Sequence, residues 1–192
     1  MRLVRAIALF VCACNGSIGG SPGDVDAKPG SGTNTPDAPG GVGEPANLAG
    51  ITLAHNNARM KVGVAPLVWD PALATIAQNW VQQCIDTDGN GLVDHNANRS
   101  VGYPTYVGEN IYASTGTANG PAAVADWVSE AQYYDYASNT CAAGQICGHY
   151  TQVVWAATQK LGCALYDCAS LTYSSTIVCD YGPGGNDGGR PY

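Results

Sequence analysis

The chain of 192 residues contains three histidines, His55, His95 and His149. A neutral imidazole can ligate a metal or carry a proton, so each is a candidate for chemistry. His149 sits in Gly148-His149-Tyr150-Thr151-Gln152-Val153-Val154-Trp155. Two glutamates stand in comparably distinctive contexts. Glu109 lies in Gly108-Glu109-Asn110-Ile111-Tyr112, and Glu130 follows Trp127-Val128-Ser129. Carboxylates of this kind orient an imidazole or join a metal's shell. Hydrophobic periodicity alone does not bring these groups together. His55 and Arg59, one helical turn apart, read instead as buried donors that satisfy main-chain carbonyls.

A second cluster is local. Asp86-Thr87-Asp88-Gly89-Asn90-Gly91-Leu92-Val93-Asp94 follows the first nine positions of an EF-hand loop. Asp86, Asp88, Asn90 and Asp94 offer oxygens at positions one, three, five and nine. Gly91 takes the sharp-turn position. The twelfth position is Ala97, where a bidentate glutamate is expected. The alternatives are a weak calcium site and a plain Asp-Gly-Asn-Gly turn. Calcium here would pin the loop that carries His95.

These residues need elements to position them. Asn47 reads as the cap of a first helix presenting Leu48, Ile51, His55 and Ala58. Asp70-Pro71 opens a second helix that turns Leu73, Ile76, Ala77, Trp80, Val81 and Cys84 to one side. Gly120-Pro121 opens a third, with Val124, Trp127, Val128, Ala131 and Tyr134. Residues 161–166 and 172–179 are rich in apolar and β-branched types and read as strands. Helices first and strands last imply an α+β layer fold.

Composition bounds the rest. The net charge is −7, from 8 basic and 15 acidic residues. Phosphate backbones would be repelled, so nucleic acid is not an expected partner. No apolar run reaches the ~20 residues that span a bilayer. Eight cysteines suit an exported chain. Residues 1–14 have the form of a secretory leader, with Arg2 and Arg5 before an apolar run. They end in a lipobox-like Val11-Cys12-Ala13-Cys14. Acylation of Cys14 would make the protein a bacterial lipoprotein, in contact with membrane through that anchor alone. Ordinary cleavage would release it. Residues 15–46, rich in glycine and proline, read as a flexible linker, and residues 47–192 as the folded domain. Its six cysteines allow fifteen pairings, of which Cys141 with Cys147 closes a small glycine-containing loop.

The domain resembles the CAP superfamily of cysteine-rich secretory proteins, venom antigens and plant pathogenesis-related proteins. His55-Asn56-Asn57-Ala58-Arg59, Gly108 to Tyr112, Gly148 to Thr158 and Ile177 to Asn186 carry the resemblance. One departure is Asp180, where asparagine is usual. Glu130 to Asp135 and Asn139-Thr140-Cys141 are similar to the plant pathogenesis-related class. The resemblance implies an α-β-α sandwich with a small antiparallel sheet between helical layers. It implies three disulfides, Cys84–Cys168, Cys141–Cys147 and Cys163–Cys179. It also implies a cleft lined by His95, Glu109, Glu130 and His149, with His95 and His149 able to hold zinc or another divalent ion.

The function this implies is an extracellular or surface-tethered, non-catalytic module. It would bind a lipid or sterol-like ligand, a metal or a protein partner. The alternative is a metal-dependent hydrolase, with a glutamate as base on metal-bound water. The chain has no HExxH helix, no GxSxG elbow and no cysteine expected to be a free nucleophile.

Overall fold

The computed structural model describes residues 43–192. The leader, Cys14 and nearly all of the linker therefore lie outside the described residues. The domain opens with a 3-10 turn, Ala46–Leu48, and helix α1, Ile51–Lys61. Asn47 is not the cap. Gly50, at φ +87, breaks the chain direction before α1. The Glu44 carboxylate then accepts from the Gly50 and Thr52 amides, doing the capping from six and eight residues away.

Strand β1, Val68–Trp69, leads into helix α2, Pro71–Val81. Asp70 caps α2 by accepting from the Ala72 and Leu73 amides, with proline at the first turn. Strand β2, Gly108–Ser114, is followed by α3, Gly120–Ser129, capped by Asn119. A 3-10 turn, Glu130–Tyr133, then leads to the two-residue ribbon of β3, Tyr134–Asp135, and β4, Thr140–Cys141. Helix α4, Gly148–Val153, and the long hairpin β5, Lys160–Asp167, with β6, Ser175–Gly182, complete the domain.

The main sheet has the order β1-β5-β6-β2. The β5–β6 and β6–β2 pairs are antiparallel, and only the short β1 runs parallel to β5. Alternation along the strands divides the core. Ile177, Cys179 and Tyr181 face the layer of α1, α3 and α4, with Trp127, Val153 and Val154. Val178 and Ala164 face α2, against Ala77 and Val81. This is the three-layered α-β-α arrangement. Gly162 is what lets α2 lie so close. A Cβ there would sit 2.1 Å from the Ala74 amide nitrogen.

Arg59 and His55 tie α1 to the sheet. Buried Arg59 donates to the carbonyls of Ala65, Val153, Trp155 and Thr158. His55 bonds Ile51 O through Nδ1 and the Tyr181 hydroxyl through Nε2. Burial lowers its pKa to about 4, so the ring is neutral at physiological pH. The disulfides join Cys84 to Cys168, Cys141 to Cys147 and Cys163 to Cys179.

Candidate functional site

Strand β2 is the edge of the sheet, and the candidate site is built on it. Its side chains alternate between the two helical layers. Glu109 and Ile111 point to the α2 side, and Asn110 and Tyr112 to the side of α1, α3 and α4. On the first side, Glu109 holds His95. Its Oε1 lies 2.7 Å from His95 Nδ1 and also accepts from the Asn96 amide. The loop between α2 and β2 delivers His95 to that point. Trp80 Nε1 donates to Asp94 O, and Arg99 donates to the carbonyls of Asn96 and Val107.

On the other side, Glu130 holds His149. Oε1 lies 2.6 Å from His149 Nδ1, and Oε2 accepts from the His149 and Tyr150 amides. One carboxylate thus orients the imidazole and caps the helix that carries it. Burial raises the Glu130 pKa, but the bonds from His149 and the two amides outweigh it and hold it below the ordinary value. The His149 ring stacks on Trp127 of α3 at 6.3 Å between centroids.

The four residues implied by the resemblance therefore form two pairs, one on each side of the sheet. They meet across the edge of β2. Both imidazoles line one cleft of about 610 Å³. The two glutamates stand behind them. The Glu109 side chain is fully buried and that of Glu130 is 15% exposed, against 58% for His95 and 28% for His149. In each pair the carboxylate engages Nδ1, which leaves Nε2 as the ring's remaining ligand atom.

Beneath His95 lies an unusual pair. Asp180 is opposite Glu109 in the β2–β6 register. Both Asp180 carboxylate oxygens and Glu109 Oε2 are buried without a hydrogen-bond partner among the described residues. Burial, reinforced by the Glu109 charge, pushes the Asp180 pKa up to about 9. Asp180 therefore holds a proton at neutral pH.

The Asp86–Asp94 loop forms the near wall of the same cleft, through Asp88, Asn90, Leu92, Val93 and Asp94. Asp86, Asp88 and Asp94 each place a carboxylate oxygen within 4.8 Å of the others. The loop is also closed by its own bonds. Asp86 accepts from the amides of Gly89, Asn90 and Gly91, and Asp94 from Thr87. Asp126 of α3, Ile111, Tyr112 and Ala113 complete the cleft. These four escaped sequence reasoning. Asp126 precedes Trp127 on a helix whose register was legible, so its position on the solvent side beside the core stripe was the available signal.

The class of domain is thus a disulfide-bonded α-β-α sandwich with a His–Glu couple on each side of its sheet edge. The chain belongs to the cysteine-rich secretory protein (CAP) family, whose model matches residues 52–181. It is 45% identical over 141 residues to pathogenesis-related protein 1B of Nicotiana tabacum, covering 72% of this chain and 77% of that one. Pathogenesis-related protein 1A1 of Solanum lycopersicum is 44% identical over 133 residues, 69% of each. Among solved structures, Schistosoma mansoni venom allergen-like protein 4 superposes with a TM-score of 0.59 at 27% identity. It covers 74% of this chain and 90% of that one. NaASP2, solved with Zn2+, gives 0.55 at 25% identity, covering 73% and 81%. Membership of a secretory family places the protein outside the cell.

Proposed function

We propose that this is a non-catalytic extracellular binding module whose cleft takes a divalent ion, such as zinc, between His95 and His149. The observation that carries the reading is the paired carboxylate–imidazole geometry. Each Nδ1 is fixed by a glutamate less exposed than the imidazole it holds, each Nε2 is left without a carboxylate, and both rings line the shared cleft. That is the arrangement by which outer carboxylates orient metal-binding histidines. Two imidazoles fit a divalent ion of the zinc type but supply fewer than the three or four protein ligands of a closed site. The ion would thus be held weakly and keep positions for water or a partner. NaASP2 with Zn2+ lends support from a similar fold.

The same geometry disfavours hydrolysis. A general base must reach metal-bound water; both Glu130 oxygens are committed to an imidazole and two amides, and the one free oxygen of Glu109, Oε2, is buried. Calcium at Asp86, Asp88 and Asp94 is a separate proposal, supported by their mutual distance alone. A lipid ligand has its own support. A trough of about 320 Å³ between α1 and α3 is lined by Ala54, Ala58, Pro121, Val124, Ala125 and Val128, together with Asn57, Lys61 and Ser129. Cell-surface tethering through Cys14 would show as a diacylglyceryl mass on the mature N-terminus.

Zinc titration tests the main reading, at about pH 5 and about pH 7.5, on wild type and a His95→Ala/His149→Ala variant. Ligating imidazoles must be deprotonated, so affinity should rise with pH and vanish in the variant. Zinc binding that ignores both pH and the histidines would refute it. Fatty-acid uptake that survives the double substitution would assign the trough to lipid.

A further inference from the structure

The geometry points to the cleft as a docking groove for an extended, positively charged peptide, added as a fifth strand along the free edge of β2. This deepens the reading of the cleft as a binding site and rests on it.

Among the described residues β2 pairs with β6 alone. In an antiparallel pair, alternate residues turn both main-chain groups toward the partner or away from it. The phase here is fixed twice. Cys163 and Cys179 face each other across β5 and β6 with a Cα–Cα distance of 4.1 Å. That is the spacing of a non-hydrogen-bonded pair. The main-chain groups of Cys179 therefore turn toward β2, and meet Asn110. Ile111 and Ala113 must turn outward. Independently, the Ile111 carbonyl accepts from Trp127 Nε1, which comes from α3 and not from β6. The Ile111 N–H and both main-chain groups of Ala113 have no protein partner among the described residues, and both residues line the cleft. Three main-chain groups left unpaired along a strand edge are a template for strand addition.

Asp88 and Asp94 stand on the wall that follows α2, and Asp126 on the wall formed by α3. Neither lysine nor arginine lines the cleft. Side chains of an added strand point alternately to the two walls. Each wall presents a carboxylate, so lysine or arginine suits both parities. The apolar surfaces of Leu92, Ile111 and Tyr112 can cover the aliphatic stems of such residues. An acidic peptide would meet like charge on both sides.

The probe is an acetylated and amidated hexapeptide alternating lysine with valine, titrated into the 15N-labelled domain in calcium-free buffer. The comparison peptide replaces lysine by glutamate. The expected result is saturable binding of the lysine peptide that shifts the Ile111 and Ala113 amide resonances. The glutamate peptide should not bind. Affinity should fall with added salt. It should fall about tenfold or more for Asp126→Lys. Asp126 is exposed, so this variant keeps the fold, which circular dichroism verifies. N-methylation of alternate peptide amides should abolish binding in one of the two phases and spare it in the other. Equal binding of both peptides, or indifference to methylation in both phases, overturns strand addition. So does zinc binding at the histidines with no peptide binding, which leaves the metal reading standing. Failure of both zinc and peptide to bind overturns the two together.

Discussion

At the scale of single residues, the sharpest consequence comes from Asp180, the one departure noted within the closing motif. An asparagine there would offer an N–H to the orphaned Glu109 Oε2 with no proton to acquire. An aspartate can do so only as the neutral acid. Its folded pKa of about 9 lies far above the ordinary aspartate value. Between those values the folded protein binds a proton that the unfolded chain releases. Stability must therefore fall as pH rises through that window. Asp180→Asn should remove the slope. Urea unfolding at about pH 5 and about pH 8 should show wild type losing on the order of 4 kcal/mol over that range, and the variant losing little. A variant as pH-sensitive as wild type would mean that the pair shares no proton. The departure from the motif was visible in the sequence. Its consequence was not, because only the strand register puts Asp180 against Glu109.

Elements show the same divide between local and distant causes. Helix α2 was legible because Asp70 and Pro71 act on amides two and three positions away. The start of α1 was not, because Glu44 acts across a turn set by Gly50. Strand β2 and helix α4, which carry Glu109 and His149, were recognised as motifs and not as elements. Seven and six residues are too few for periodicity to show. The acidic loop lies between these cases. Its turn chemistry is local, and Asp86 alone satisfies three amides. Asp86→Ala should therefore destabilise the domain by about 1–2 kcal/mol even in chelator, as loss of a cap does. Asp88 contributes less to the turn, accepting from Asn90 alone. Asp88→Asn is thus the cleaner probe of calcium. A rise in wild-type melting temperature with millimolar calcium, absent in Asp88→Asn, would establish the ion. Identical melting with calcium and with chelator would assign the loop to turn-making only.

For the whole molecule, the question is what keeps two helical layers in register across one sheet edge, since each layer supplies half of the cleft. The α1, α3 and α4 layer is fastened by Arg59 and by Glu130, through main-chain groups of several elements. The α2 side has a covalent fastening. Cys84, three residues past α2, is bonded to Cys168, the residue after β5, 84 residues away. The loop that carries Asp86 through His95 begins directly after it. A bridge of that span withdraws about 4 kcal/mol of chain entropy from the unfolded state. Cys84→Ser/Cys168→Ser should therefore lower the unfolding free energy by roughly that amount. It should also weaken zinc binding at about pH 7.5, because His95 loses its anchor while His149 keeps its own. Removing Cys141–Cys147, which closes only a short loop, should cost less. Denaturant curves and zinc titrations on the two double variants separate these effects. If the cleft binds zinc equally well without the Cys84 bridge, then Glu109, Trp80 and Arg99 suffice to place His95, and the bridge serves stability alone.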